Sequence, residues 1–165
     1  MNGEPIVSIL AGVVVGVAGT VTMDVLGSLS RKAGLSAGAK GQWVGRWYIG
    51  IARGQFVHAD IAASPEHAGE KRAAFVGHYV IGITLAVVYV VGAGLAGISP
   101  GSFVAAVGYG LATCVFPWFL VLPALGFGVF GRKGPPELKL FISTLQNHLF
   151  YGLGLWWIAN VLRLG

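Results

Sequence analysis

The sequence has very little charge for its length. Of its 165 residues, 10% are Asp, Glu, Lys or Arg, whereas 55% are hydrophobic. A soluble domain usually carries about 25% charged residues, because its surface must be covered by groups that water solvates. The mean hydropathy is +0.76. We therefore expect the lipid bilayer, and not water, to surround most of the chain.

Cysteine and the common catalytic motifs are also scarce. The single cysteine, Cys114, excludes an internal disulfide, and its apolar surroundings favour a small buried residue over a reactive thiol. The chain contains no G-x-S-x-G elbow, P-loop or H-E-x-x-H sequence. It contains no C-x-x-C-H sequence either, which excludes covalent haem attachment. Whether the protein is an enzyme stays open at this point.

Four apolar segments are long enough to cross a membrane, which takes about 20 residues in a helix. They cover residues 5–29, 73–97, 102–130 and 138–162. The first is preceded by Glu4 and by no basic residue, and it is too long for a secretory signal, so we expect it to be retained. The predicted fold is all-α: an integral membrane four-helix bundle forming one domain over residues 1–165. In the third segment, Pro117 and Pro123 free backbone carbonyls that must find other partners.

The distribution of Lys and Arg predicts the orientation. Ten of the eleven lie within or next to the long 30–72 connection or the short 131–137 connection, and only Arg163 lies on the opposite side. Because cytoplasmic loops are enriched in Lys and Arg, we expect both connections in the cytoplasm and both termini outside it, in a cytoplasmic (inner) membrane. This topology accounts for the net charge of +5, so no nucleic-acid partner is expected.

Within the long loop, residues 42–56 alternate aromatic and aliphatic residues with arginines. Amphipathic rings such as those of Trp43 and Trp47 settle at the headgroup level. The pattern predicts an interfacial amphipathic helix packed under the bundle. A nucleic-acid patch and a substrate lid are the alternatives.

Three ionisable residues fall inside the apolar segments: Asp24, His78 and His148. Such groups are costly in a membrane and are functional-site hypotheses by default. At 1.5 Å per residue, all three lie roughly 8–15 Å below the cytoplasmic ends of their helices. We therefore predict a cytoplasm-facing polar cavity shared by these three residues, Glu70 and Asn147.

Polar residues precede the second apolar segment. Ser64 is a suitable N-cap and Pro65 a suitable first helical residue, so a helix is predicted to begin near residue 65. One face of that helix would then carry His67, Glu70, Ala74 and His78.

Just before this helix, His58 and Asp60 form an H-x-D pair. Such a pair can place two metal-compatible donors together. We treat both residues as possible members of a metal site with Asp24, His78 and His148.

Two stretches of the chain have the same spacing. Pro65 precedes His78 by 13 residues, Pro135 precedes His148 by 13, and each histidine is followed four residues later by glycine. The bundle can therefore consist of two repeated helical hairpins related by an axis along the membrane normal.

Several short motifs together suggest a family. They are TMD in the first segment, the H-x-D and E…HYxIG stretches, PALGFGVFG at residues 123–131, and NHLFYGLG at residues 147–154. In these the chain resembles a small bacterial family of multi-pass membrane proteins known as a domain of unknown function. The resemblance implies an integral membrane protein with four helices. It implies no activity and no catalytic residue.

Three functions remain open. The first is an accessory or structural subunit of a larger membrane assembly, as a homo-oligomer or with other subunits, in which Gly12, Gly16 and Gly19 would face a partner helix. The second is a membrane-embedded site that holds a transition metal or relays protons for transport or metal-dependent chemistry. The third is b-type haem held by His78 and His148 as axial ligands.

Overall fold

Helices make up the regular structure of the described residues. The computed structural model describes residues 5–36, 38–134 and 137–164, and no strand occurs among them. The five main helices are α1 (Pro5–Lys32), α2 (Gly41–Ile51), α3 (Glu70–Leu95), α4 (Phe103–Ala112) and α5 (Glu137–Val161). A π-helical turn at Pro117–Val121, a short α-helical turn at Leu122–Ala124 and a 3₁₀ turn at Val129–Gly131 separate α4 from α5.

Three helical stretches of the described chain are long and apolar enough to span a membrane. They are Ile6–Lys32, Glu70–Leu95 and Phe103–Ala124. The fourth predicted span is helical over Glu137–Val161 but is not among these three. The all-helical fold is thus confirmed, whereas the four-helix membrane bundle is not.

The start of α3 differs from the sequence prediction. The helix begins at Glu70, because Gly69 adopts a φ of +88°, a left-handed conformation that interrupts a helix. The Glu70 carboxylate accepts a hydrogen bond from the His67 backbone N–H at 2.7 Å. The predicted start near Pro65, with Ser64 as N-cap, is therefore wrong. His67 lies before the helix and does not share its face with Glu70 and His78.

The prediction of a repeat loses one of its two supports through this correction, since Pro65 does not begin a helix. The matching Pro135, like Pro136, lies outside the described residues. The pair of repeated hairpins stays a prediction.

Prolines and glycines divide the third apolar segment. After α4 the chain forms a π-helical turn, in which the Leu122 N–H bonds to the Pro117 carbonyl five residues earlier. The membrane-length stretch ends at Ala124. Gly126 then adopts a φ of +90°, so the predicted continuous helix to residue 130 is wrong.

The chain divides into two compact units. Unit 1 contains the described parts of residues 1–29, 79–113 and 146–165, and unit 2 those of residues 30–78 and 114–145. The single domain predicted from the sequence stays a prediction.

Unit 1 has an apolar core to which four helices contribute. Its buried members are Val15, Ala86, Tyr89, Val90, Ala93, Ala106, Tyr151 and Leu155. Three tyrosine hydroxyls in this unit donate to backbone carbonyls: Tyr89 to Pro100, Tyr109 to Leu85 at 2.7 Å, and Tyr151 to Gly82. The polar ends of these rings are thereby satisfied inside an apolar unit.

Glycines let the helices of unit 1 approach closely. A Cβ atom added to Gly16 would lie 2.6 Å from the Cα of Ile83, and one added to Gly12 would lie 2.7 Å from the Cα of Val87. Gly19 faces Tyr151 in the same way, at 3.2 Å. The glycine face of α1 is therefore occupied within the chain, and its predicted role at a partner interface is wrong.

Unit 2 packs α2 against the loops that follow it. Its buried apolar residues are Trp47, Ile61, Leu122, Ala124, Leu125, Phe127 and Leu140. Backbone hydrogen bonds join His58 to Ala124 and Ile61 to Leu125 at 2.8 and 3.1 Å. The helix predicted at residues 42–56 occupies Gly41–Ile51 and buries Arg46 and Trp47 inside the unit. Its placement at a membrane interface stays a prediction.

Candidate functional site

Unit 2 contains a buried arginine. Only 3% of the Arg46 side chain is exposed. Its Nε donates to Glu70 Oε1 at 2.6 Å, and its Nη2 donates to Glu70 Oε2 at 3.2 Å, which makes the pair bidentate. Its Nη1 donates to the carbonyls of Ile61 and Ser64 at 2.9 and 2.6 Å. The guanidinium thus holds the start of α3 and the 61–64 loop against α2.

The close approach of α2 to the start of α3 brings Arg46 and Glu70 together. Gly45 precedes Arg46, and a Cβ atom there would collide with the Glu70 carbonyl, so only glycine allows α2 to come this close to the start of α3. The hydrogen bond that Arg46 donates to Glu70 raises the pKa of Arg46, against the opposing effect of burial. The guanidinium therefore stays charged, as an ion pair in a buried position requires.

A second carboxylate lies near Arg46. Glu66 Oε1 is 3.5 Å from Nη2, but the Glu66 side chain is 90% exposed. The two glutamates thus bind the same guanidinium in very different surroundings, since Glu70 is 7% exposed.

His58 is buried beside this pair. It is 4% exposed, and its Nδ1 lies 3.0 Å from Ser64 Oγ. The Ser64 hydroxyl donates to the Asp60 carbonyl at 2.9 Å, and the Gln55 amide nitrogen lies 3.3 Å from the same His58 Nδ1. The other ring nitrogen, Nε2, is buried and has no hydrogen-bond partner among the described residues.

Burial lowers the pKa of His58 from its ordinary 6.5, and the nearby charge of Arg46 and then His67 lower it further. The neutral imidazole is therefore the form that the folded protein stabilises.

The two residues of the predicted H-x-D pair, His58 and Asp60, make different local contacts. The Asp60 carboxylate accepts the backbone N–H of Ala62 at 2.8 Å and lies at the surface. His58 turns into the unit toward Ser64. Both side chains serve the structure of the 58–64 loop.

Two of the residues predicted in the membrane have partners within unit 1. The Tyr79 hydroxyl donates to the Asp24 carboxylate at 3.2 Å. His148 Nδ1 lies 2.8 Å from Thr113 Oγ1, whose hydroxyl hydrogen goes to the Gly110 carbonyl at 2.5 Å, so the imidazole is the donor in this pair. Asn147 is half-buried next to His148.

His78, on α3, is half-buried and belongs to unit 2, whereas Asp24 and His148 belong to unit 1. In the described part of the chain, no group of three or more His, Cys, Asp or Glu side chains is placed to hold a metal ion. The shared cavity, the metal site and axial haem ligation stay predictions.

The residue that sequence reasoning missed is Arg46. The alternating pattern of residues 42–56 predicts an interfacial helix and does not single out Arg46. The usable signal was Glu70, which lies at the start of an apolar helix and needs a cationic partner if it is buried. Nothing in the sequence indicates that the partner lies 24 residues earlier.

The PALGFGVFG run forms the irregular turn of unit 2. Gly126 lies so close to the Ala59 carbonyl that a Cβ atom would not fit. Phe130 adopts a φ of +60°, which is uncommon for an aromatic residue. Its ring lies edge-on to those of Trp118 and Phe119 at 5.4 and 5.1 Å.

Comparison with known families identifies a family and not a particular site. The family described as "Protein of unknown function (DUF2938)" matches residues 13–162. The chain belongs to this family. The match includes α2, α3, α4 and the PALGFGVFG and NHLFYGLG runs, which confirms the resemblance inferred from these motifs. No curated protein and no solved structure matches the chain.

Proposed function

We propose that this DUF2938 protein is an accessory or structural subunit of a larger membrane assembly, and that the outer face of α4 receives a transmembrane helix of another subunit. The face consists of Val104, Gly108 and Ala112, which recur every four residues and are all exposed. α4 belongs to one of the three stretches that are apolar enough to span a membrane.

The observation that carries the proposal is the open space beside Gly108. No atom lies within 4 Å of the position that a Cβ would occupy there. In lipid, helices associate where small residues allow close packing of backbones. Within unit 1 the same chain uses Gly16 in this way against Ile83. A partner helix could approach Gly108 and Ala112 just as closely.

The outer face of α1 has the opposite character. Its exposed residues are large and apolar: Ile6, Leu10, Val14, Val17, Val21 and Val25. Such a surface is suited to contact with lipid chains, which do not need the close backbone approach that small residues allow. The small residues of α4 therefore make its outer face better suited to another helix than the outer face of α1.

The test is gentle purification from the native membrane of the wild type and of Gly108→Leu. The leucine fills the groove, and overpacking of this kind costs about 1–3 kcal/mol. We expect the co-purifying subunit to be reduced about fivefold or more. Gly94→Leu is the matched control, because Gly94 is also exposed with open space beside it but lies on α3.

Retention of the same subunit by Gly108→Leu would refute the proposed face. Recovery of a second copy of this chain in place of another protein would replace the accessory role with a homo-oligomer. The same preparation, assayed for metal content and for Soret absorption, tests the metal and haem predictions.

A further inference from the structure

Unit 2 contains a polar cleft of about 350 Å³. It lies between the first turn of α2 and the residues around the start of α3. Its lining consists of Lys40, Gln42, Trp43, Arg46, Glu66, His67, Gly69, Glu70 and Lys71. A cleft lined almost entirely by charged and polar groups is suited to a polar ligand.

The charges of this cleft are not equally available. Arg46 and Glu70 neutralise each other through two hydrogen bonds, and both are buried. Lys40 and Lys71 are exposed at the rim. The Lys40 ammonium lies 5.3 Å from the centre of the Trp43 ring, which places it beside the cleft. The rim thus offers two cations, with Glu66 as the one exposed carboxylate of the lining.

The cleft lies at the end of a membrane-length helix. Glu70 and Lys71 are the first residues of Glu70–Leu95, which is apolar enough to span a bilayer. The ends of such helices meet the lipid headgroups, where Trp and Lys side chains are enriched. A ligand that reaches this cleft from the membrane therefore presents a headgroup.

We propose that this cleft binds the phosphate group of an anionic phospholipid headgroup. Lys40 and Lys71 pair with the phosphate oxygens, and the Gln42 amide is available as a further donor. Glu66 competes with the ligand, because its exposed carboxylate lies 3.5 Å from Arg46 Nη2 and occupies the place of an anion. Binding of the phosphate moves this carboxylate away from Arg46 Nη2.

A free phosphate ion has the same charge and the same acceptor oxygens as a headgroup. The position of the cleft at the start of α3 favours the lipid. A lipid also adds acyl chains that contact the apolar part of the helix, so it binds more tightly than the free ion.

The experiment measures binding of dihexanoyl phosphatidylglycerol to the full-length chain in detergent micelles, with inorganic phosphate as the second probe. We expect saturable lipid binding that is tighter than phosphate binding. Lys40→Gln and Lys71→Gln should each weaken lipid binding about fivefold, the usual contribution of one cation near an anionic headgroup. Glu66→Gln should strengthen it, because the competing carboxylate is removed.

Arg132→Gln is the control, since Arg132 is exposed but does not line the cleft. The affinity of this variant for the lipid should equal that of the wild type. Thermal unfolding checks that each variant is folded. If Arg132→Gln weakened lipid binding equally, the loss of affinity would come from the overall charge of the protein, and the proposed site would be overturned. If inorganic phosphate bound as tightly as the lipid, the assignment of the bound phosphate group to a lipid headgroup would be overturned. Absence of saturable binding would overturn the proposal as a whole.

Discussion

Replacement of Glu70 by Gln should destabilise the protein strongly. The guanidinium of Arg46 is 3% exposed, and Glu70 supplies its charge partner through two hydrogen bonds. Removal of one member of a buried pair costs about 3–5 kcal/mol, because the other charge is left buried without compensation. We expect the lower end, about 3 kcal/mol, since the Ile61 and Ser64 carbonyls still bind the guanidinium.

The assay is thermal unfolding of the full-length chain in detergent micelles. For a chain of this size, about 3 kcal/mol corresponds to a decrease in Tm of roughly 6–12 °C. Glu66→Gln is the internal control, because Glu66 lies near the same guanidinium but is 90% exposed. An exposed pair contributes less than about 1 kcal/mol, so its Tm should change by a few degrees at most.

A double-mutant cycle separates the ion pair from other effects. Arg46→Gln leaves the Glu70 carboxylate without its partner, whereas Arg46→Gln combined with Glu70→Gln leaves no buried charge. The double variant should therefore lose less stability than the sum of the two single losses, by about 1–3 kcal/mol. Additive losses, or equal losses for Glu66→Gln and Glu70→Gln, would refute the buried pair.

Three further predictions concern topology, pH and packing. Reporter fusions after Gly165 and within residues 34–41 should report opposite sides of the membrane, and a cytoplasmic C-terminus would contradict the Lys and Arg distribution. Because the pKa of His58 is lowered from 6.5, its contribution to stability should be complete above about pH 6.5 and lost as pH falls through the lower folded pKa. The Tm of the wild type should fall over that range more steeply than the Tm of His58→Gln, and equal slopes would exclude His58 as the cause. Gly16→Leu should prevent folding of unit 1 or lower its Tm by many degrees, since even a Cβ atom meets the Ile83 backbone at 2.6 Å. A Tm equal to that of Gly94→Leu would contradict this packing.

Local composition was sufficient to place the long helices. The predicted segments 5–29 and 73–97 correspond to Pro5–Lys32 and Glu70–Leu95, because hydropathy over about 20 residues is a property of the segment itself. The same holds for the segment predicted at 138–162, which is helical over Glu137–Val161. Its polar residues, such as Lys139 and Gln146, lower its hydropathy.

Helix boundaries and the site depended on contacts that the sequence does not display. Ser64 and Pro65 form a good local start signal, yet Ser64 binds His58 and Asp60, and the helix begins at Glu70 where Arg46 holds the carboxylate. Besides the left-handed Gly69, the start of the helix thus involves a contact between residues 24 positions apart, which no local pattern contains. The glycines of α1 were recognised as packing residues, but the sequence alone could not tell that the neighbouring helix was α3 of the same chain.

The close backbone contacts of unit 1 also limit how its sequence can change. Where Gly110 faces Gly152 and Gly16 faces Ile83, the nearest backbone atoms lie only 2.6 Å from the position of a missing Cβ. At an ordinary core position, a large residue can be replaced by a smaller one, and neighbouring side chains can change rotamer. Glycine has no smaller replacement, and the backbone that faces it cannot change rotamer. Every point mutation at these sites adds atoms, and only a displacement of whole helices can accommodate them. The spacing of the helices is thus set by the main chain, and mutations elsewhere in the unit can reshape its side-chain packing without changing that spacing.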